Sequence, residues 1–392
     1  MRIAHLADMH LGFRQFQRLD PSGVNQREAD VAAAFRRAVD AVIAQRPDAV
    51  VLAGDLFHSV RPTNRAIIEA FTGLRRLREA LPAAPVVVIA GNHDTPRSVE
   101  AGSILKLMGT LGVDVVDEAT RRLDYPALDL SLLAVPHAVL LGARGSAEWR
   151  RDDRFRYNVL VLHPEVPGLF PEGVTDYGGA RVESAELTAG GFDYVALGHY
   201  HIVHEVAPRV WYSGSLEYTS HNIWGEWREE RRHGLTKGFL LADLDAGTVE
   251  RVNLPPARRV LDLEWLDAAG MTAVDLDAAL HGRLVEVPSG VDGAVVRLVV
   301  KNVSSALAHA LNHEALRPWR AAALHLHLDL RRPEPFGREV GMGAPGRHAL
   351  PDLVAEFLGR RPLDADLDRA RLVALGREYL DEVERALLEG EG

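Results

Sequence analysis

The sequence predicts an α/β fold in which two β-sheets pack as a sandwich flanked by helices, followed by a small α+β domain and C-terminal helices. Three observations lead there. Short apolar runs rich in Val, Ile and Leu lie at 2–7, 49–53 and 85–90, and the last two have the continuous apolar character of parallel strands buried on both faces. The segments between them carry apolar residues at helical spacing. A strand-rich stretch then runs to Pro255-Pro256, after which a second compact strand–helix pattern begins.

Taken in order, the first run, 2–7, leads into the helix expected at 26–46, where Val31, Phe35, Val39, Val42 and Ile43 share a face. After the run at 49–53 comes a helix at 63–81 with Ile67, Phe71, Leu74, Leu77 and Leu81. This β-α-β-α-β rhythm is that of a layered α/β domain. Strands are expected next at 128–135, 157–162, 192–197, 210–213, 238–244 and 248–254, with few helices between them. A second sheet packed on the first, with helices outside, is the simplest arrangement. Beyond Pro256 the pattern reads strand 260–265, helix 273–284, strand 294–300, helix 304–319 and strand 322–330. Residues 331–348 have linker composition, with Pro333, Pro335, Gly337, Gly341, Gly343, Pro345 and Gly346. Two amphipathic helices close the chain, one carrying Leu350, Leu353, Val354, Phe357 and Leu358, the other Leu372, Leu375, Tyr379, Leu380, Val383 and Leu387. The expected division is 1–255, 256–330, a linker at 331–348, and 349–392.

The 392 residues are too many for one ordinary core. Apolar residues make up 47% and charged residues 26%, the balance of a globular protein. The absence of cysteine excludes disulfides, thiolate nucleophiles and Cys-based zinc sites, and fits a reducing compartment. Met1 runs straight into an apolar strand, so no signal peptide is expected. No apolar run approaches the roughly 18 residues of a bilayer span. A cytoplasmic, nucleoid-associated protein without membrane contact is the expectation. The net charge of −10 argues against a surface coated with phosphate-binding residues. It leaves room for an acidic site neutralised by metal ions.

Five short motifs follow the apolar runs: Asp8-Met9-His10, Gly54-Asp55 running on to His58, Gly91-Asn92-His93-Asp94, His163, and Gly198-His199-Tyr200-His201. They supply carboxylate, imidazole and amide groups, which borderline divalent metals accept. Open α/β sheets place ligands at strand ends. In an extended segment side chains i and i+2 point the same way, so Asp8 with His10, and His199 with His201, are each expected to converge. Asp55 has two oxygens and can bridge two ions. The expected centre holds two metals about 3.5–4 Å apart. One takes Asp8, His10, Asp55 and His201; the other takes Asp55, Asn92, His163 and His199. The mixed N/O set suits Mn, Fe or Zn better than Ca. Such a pair generates a nucleophile at neutral pH and clamps a phosphoryl group. His93, beside ligand Asn92 but not needed for coordination, is the candidate general acid, since imidazoles titrate near neutral pH. His58 is expected to orient His93 or touch a substrate phosphate. His5, His137, His204, His221 and His281 read as structural or surface residues.

The five motifs resemble those of the calcineurin-like metallophosphoesterases. More narrowly, residues 1–250 resemble the nuclease subunit of the bacterial SbcC–SbcD complex and its archaeal and eukaryotic counterparts, the meiotic-recombination nucleases of DNA double-strand break repair. Asp94 ends the third motif where the protein phosphatases have Glu. Gly54-Asp55-Leu56-Phe57-His58 carries His58 where those phosphatases have Asp followed by Arg. The segments Tyr212-Ser213-Gly214-Ser215-Leu216-Glu217 and Lys237-Gly238-Phe239 are also similar to the nucleases. The resemblance implies metal ligation by Asp8, His10, Asp55, Asn92, His163, His199 and His201, and a catalytic His93. It implies manganese-dependent DNA cleavage, as a 3′-to-5′ exonuclease on duplex ends and an endonuclease on single strands. It also implies a capping domain at 256–330, docking of residues 349–388 on the coiled-coil base of an SMC-like ATPase, and a homodimer. The dimer candidates are Ile67, Ile68, Phe71, Leu105, Leu107 and Met108, about half of which read as ordinary core. A nucleotide or small-molecule phosphodiesterase with the same ions is the alternative, but it needs neither a capping domain nor a tail.

Two weaker signals remain. The 222–237 segment mixes Trp224, Trp227, Arg228, Arg231, Arg232, His233 and Lys237 with Glu226, Glu229 and Glu230, which reads either as a nucleic-acid-binding stretch or as a solvated loop. Arg14, Gln15 and Arg18 lie beside the first motif, where they either contact phosphate or sit in an exposed loop.

Overall fold

The computed structural model describes residues 1–96, 102–142, 149–170, 179–333, 357–358, 368–376 and 378–379. Its contacts divide the chain into a compact unit Met1–Arg332 and a second unit Pro333–Gly392.

The first unit opens with β1 (Arg2–Leu6), α1 (Gln26–Gln45), β2 (Ala49–Leu52), α2 (Asn64–Ala80), β3 (Val86–Ile89) and β4 (Asp114–Val116). The four strands run parallel in the order β1-β2-β3-β4. Side chains alternate faces along a strand, and both faces here are covered. Ala4, Leu6, Val50, Leu52, Val86 and Val88 pack against α1 and α2 with Val31, Phe35, Val39, Leu74 and Leu77. Ile3, Ala7, Ala49, Val51, Val87 and Ile89 face a second sheet. Two buried faces explain why these strands are continuously apolar rather than alternating.

The second sheet comprises β5 (Arg121–Tyr125), β6 (Leu130–Ala134) and β7 (Tyr157–Leu162), joined later by β10 (Tyr194–Leu197), β11 (His204–Ala207) and β12 (Val210–Tyr212). Its order is β11-β12-β10-β7-β6-β5, with the central four strands parallel. Leu130, Leu132, Val159, Val161 and Ala196 close the inter-sheet core. Leu133, Leu160, Leu162, Val195 and Leu197 face outward onto α3 (His137–Leu140) and α4 (Ser184–Thr188). A two-stranded ribbon, β8 (Pro164–Glu165) with β9 (Ala180–Arg181), lies between β7 and β10 in the chain. After α5 (Ile223–Arg232), β13 (Gly238–Asp243) and β14 (Thr248–Asn253) return to the first sheet, antiparallel beside β1. The expected helix–sheet–sheet–helix sandwich is therefore present.

A third sheet, β15 (Val260–Asp267), β16 (Val295–Lys301) and β17 (His325–Leu330), is parallel throughout. With α6 (Ala273–Val285), α7 (Ser305–Ala310) and α8 (His313–Ala322) it encloses its own core, including Leu276, Leu280, Leu284, Val296 and Leu298. It touches the sandwich through a smaller apolar cluster of Tyr218, Ile223, Val260, Val295 and Leu324.

Two expectations need correction. The single helix expected at 304–319 is two. Leu311 is extended (φ −57°, ψ 136°), and the Asn312 side chain caps a new helix by accepting from the Ala315 amide. The 222–237 segment is a helix over much of its length, not a solvated loop, and Glu226 and Glu230 are buried. Among the residues considered for dimer contacts, Leu105 and Met108 are fully buried core and Ile67 and Phe71 pack against it. Only Ile68 and Leu107 are exposed.

In the second unit the described residues at 357–358, 369–376 and 378–379 are helical. Arg369 donates to the Leu358 carbonyl at 3.1 Å, and Leu375 and Tyr379 are exposed. The rest of the segment expected at 349–392, and most of the expected linker, lie outside the described residues. Among the described residues no helix is long and apolar enough to cross a membrane.

Candidate metal centre

Every candidate side chain follows the C-terminal end of a parallel strand. Asp8 and His10 follow β1, Asp55 and His58 follow β2, Asn92 and His93 follow β3, His163 follows β7, and His199 and His201 follow β10. The first three strands are neighbours in one sheet and the last two in the other, so the site spans the edge of the sandwich. Past the strand ends the backbones stay paired: the Asp8 amide donates to Gly54 O (3.1 Å) and the His10 amide to Asp55 O (2.9 Å).

The segments after the strands are not extended, which corrects the i, i+2 argument. Asp8, His10, Asp55 and His199 have φ of 55°, 46°, 52° and 100°. Left-handed conformations are uncommon for residues with a side chain and concentrate at functional sites. Asp8 and His10 still converge, together with His201. His199 and His201 do not face the same neighbours. His199 Nδ1 lies 3.2 Å from Asn92 Oδ1, whereas His201 Nε2 lies 3.0 Å from His10 Nε2.

Two donor sets result. In one, His10 Nε2 lies 3.0 Å from His201 Nε2 and 3.8 Å from Asp55 Oδ2, with Asp8 within ligand reach of both histidines. In the other, His163 Nε2 lies 3.2 Å from Asp55 Oδ2, 3.0 Å from Asn92 Oδ1 and 3.9 Å from Asp8 Oδ1. Asp55 Oδ2 belongs to both. The His163 Nδ1–H donates to Ala53 O at 2.7 Å, which fixes the tautomer with Nε2 facing the carboxylates.

Six of the seven donors are buried and Asn92 is half-buried. Asp8, His10 and His163 are 0% exposed and Asp55 is 1% exposed. Among the described residues neither Asp8 nor Asp55 pairs with Lys or Arg. Their ionic partners are imidazoles, His163 beside both and His10 beside Asp55, and two water-excluded carboxylates gain further when a cation joins them. Burial pushes Asp8 up to about 7. Burial would also raise Asp55, but the charge and hydrogen bond of His163, aided by His10, hold it well below the usual carboxylate range. His163 moves up to about 9: burial opposes this, and the two carboxylates outweigh it. Burial drives His10 well down and His199 down to about 3, so both present neutral imidazoles, the form that ligates metal. An all-N/O set with two anionic carboxylates fits a pair of borderline divalent ions.

His93 sits beside both sets. Its amide donates to Asp55 Oδ1 (2.9 Å), its Nδ1–H donates to the His58 carbonyl (2.8 Å), and its ring lies 4.8 Å from that of His10. The His58 ring stacks on His93 at 5.0 Å, and its Nδ1 lies 3.3 Å from His10 Nδ1. His58 therefore contacts His93 and also the back of His10.

Three site residues had no role assigned from sequence. Asp94 accepts from the Leu56, Phe57 and Gly91 amides at 3.1, 3.0 and 3.3 Å, tying the third motif to the second. Glu226 and Lys237 are buried behind His201. The i, i+4 placement of Glu226 and Glu230 in a helix was the available signal. The weaker candidates go elsewhere. Arg14 pairs with Glu28 at 2.7 Å, Arg18 donates to the Ala321 carbonyl, and Trp224 lies under the Arg297 guanidinium. His5 and His137 are buried, as expected of structural residues.

The calcineurin-like phosphoesterase family matches residues 1–203, more than half of the chain. The chain belongs to that family. The phosphoesterase is also similar to curated relatives named DNA double-strand break repair protein Mre11. That of Thermoplasma acidophilum is 29% identical, over 66% of this chain and 67% of its own length. That of Methanococcus maripaludis is 27% identical, over 67% and 69%. That of Archaeoglobus fulgidus is 30% identical, over 62% and 57%. Among solved structures, a dimetal phosphatase from Danio rerio aligns over 62% of this chain and 91% of its own, at 11% identity and a TM-score of 0.32.

Proposed function

We propose that this phosphoesterase is a manganese-dependent DNA nuclease, the hydrolytic subunit of an ATPase–nuclease complex in double-strand break repair. The observation that carries the reading is the pair of buried donor sets sharing the Asp55 carboxylate, with His93 beside them. Asp8, His10, Asp55 and His201 would hold one ion; Asp55, Asn92, His163 and His199 the other. Two such ions polarise a phosphodiester and activate water as the nucleophile. The remaining steps belong to side chains. Asp55, fixed by the His93 amide, keeps the two sets in register. The His58 carbonyl orients the His93 ring through Nδ1 and leaves Nε2 to pass a proton to the leaving oxygen. The stack of His58 on His93 and its approach to His10 make His58 a positioning group for both.

The similarity to the Mre11 proteins supports DNA as the substrate, and the proposed activity is exonuclease action on duplex ends and endonuclease action on single strands. The third sheet, with its separate core, supports a capping domain at 256–330 beside a nuclease domain at 1–255. Exposed Leu375 and Tyr379 support a partner surface for the SMC-like ATPase within 349–388. Exposed Ile68 and Leu107 support a homodimer.

The test uses the full chain with end-labelled duplex DNA and with bis(p-nitrophenyl) phosphate, with and without Mn²⁺. Metal-dependent cleavage of both is expected. His93→Ala is expected to lose about 10²–10⁴-fold in turnover while binding both ions. Hydrolysis of the small diester alone favours a small-molecule phosphodiesterase, and inactivity on both substrates refutes the reading.

A further inference from the structure

Behind His201 the fold buries a charged cluster that the proposed chemistry does not use. Glu226 is 0% exposed, Lys237 1% and Glu230 2%. Lys237 Nζ donates to Glu226, to Glu230 (2.8 Å), to Ser215 Oγ (3.0 Å) and to the His201 carbonyl (3.0 Å). The same carbonyl accepts from the Ser215 amide at 3.1 Å. On the ring side, Thr219 Oγ1 lies 3.4 Å from His201 Nδ1 and Glu226 Oε2 lies 4.0 Å from it. Ser220 donates to that Glu226 oxygen at 2.5 Å.

Buried ion clusters are poor stabilisers, and apolar residues of the same volume often serve as well. This one is also arranged around a single residue. Its ammonium holds the backbone of His201, while its carboxylate and the neighbouring Thr219 hydroxyl face the ring nitrogen opposite Nε2. Groups that hold the far nitrogen of an imidazole set its tautomer and aim, and losing them typically lowers metal affinity about 10–100-fold.

We propose that Glu226, Lys237 and Thr219 are positioning residues that hold His201 ready for a divalent cation in the set it forms with Asp8 and His10. The proposal rests on the metal reading above. It makes α5 part of the metal site, although no residue of that helix is among the seven donors.

The test is calorimetric titration of the chelator-treated full chain with Mn²⁺, beside thermal melts in chelator. The wild type is expected to take up two ions. Glu226→Gln and Lys237→Met are expected to weaken one of them about 10–100-fold and leave the other unchanged. Thr219→Val, a nearly isosteric change, is expected to weaken the same ion to a smaller extent and carries the test if the charge variants do not fold. Arg27→Met is the comparison, because Arg27 is equally buried and ion-paired with Asp30 and Glu217 but touches no donor. It should lower the melting temperature with both ions bound as in the wild type. If the Glu226, Lys237 and Thr219 variants also lose only stability, the cluster is merely structural and the proposal is overturned. If the wild type takes up no ion, the metal reading itself has failed and the proposal with it.

Discussion

Substituting Gly91 by alanine adds one carbon at the most crowded point of the centre. A Cβ there would lie 2.2 Å from Asp55 Oδ1, 2.6 Å from the Asp55 amide nitrogen and 2.8 Å from its Cγ, where real Cβ contacts essentially never fall under 3.0 Å. Either the carboxylate or the main chain must shift by close to an ångström. Asp55 has little freedom, since Oδ1 accepts from the His93 amide at 2.9 Å and Oδ2 lies 3.2 Å from His163 Nε2. Gly91 is not left-handed, so alanine brings no φ penalty and acts through sterics alone. A misplacement of about 1 Å in a catalytic arrangement costs on the order of 10²-fold in rate. Overpacking costs about 1–3 kcal/mol. Gly73→Ala is the matched comparison. Its Cβ would meet Phe35 Cε1 at 2.4 Å, in the helix–sheet core away from the donors. Alanine regains at most about 1 kcal/mol of helix propensity there. Both variants should melt a few degrees below wild type by calorimetry. Only Gly91→Ala should lose about 100-fold in Mn²⁺-dependent hydrolysis of bis(p-nitrophenyl) phosphate. Equal activity in the two variants would refute the placement of Asp55 at the reacting centre.

Asp94→Asn leaves one acceptor end for three converging amides, and urea unfolding should show a loss of about 2–3 kcal/mol. The metal-free protein should also lose stability as pH rises from about 6.5 to 9. His163, at about 9 in the fold against 6.5 unfolded, contributes stability that is complete below about pH 6.5 and lost as pH rises through about 9. Asp8 and Asp94, both pushed up to about 7 mainly by burial, act in the same direction between 3.8 and 7. Melting in EDTA should therefore fall from pH 6.5 to 9, and saturating Mn²⁺ should remove the fall, because a ligating imidazole is unprotonated. A flat metal-free profile contradicts the assignment. Leu280→Ala, 1% exposed in the third-sheet core, should cost about 2–5 kcal/mol in urea while each folded molecule still hydrolyses the small diester.

The elements legible in the sequence were those whose local pattern is enforced by burial on both faces. β1, β2, β3, β7 and β10 sit inside a four-layer stack, so they are mostly apolar, broken in the interior only by His5 in β1 and Asn158 in β7, and their ends, where the donors lie, are marked. β5 escaped notice because it is an edge strand reading Arg-Arg-Leu-Asp-Tyr, with only Leu123 buried. α5 escaped because its buried face mixes Glu226 and Glu230 with Ile223. The charge that makes those carboxylates tolerable, Lys237, comes from the chain just before β13.

By itself the sequence determined the inventory: which side chains can donate to a metal, and that each follows a buried parallel strand. Their division between two ions was expected from the sequence as well; only the tertiary structure decided the turns and distances that bring it about. It set Asp55 between His10 and His163, parted His199 from His201 although one residue separates them, and closed Asp94 onto three amides of two loops. Strand and helix periods are properties of neighbouring residues and can be read along the chain. The approach of His10 to His201, 191 positions apart, depends on how two sheets pack and on left-handed turns at their edges, which no local period records.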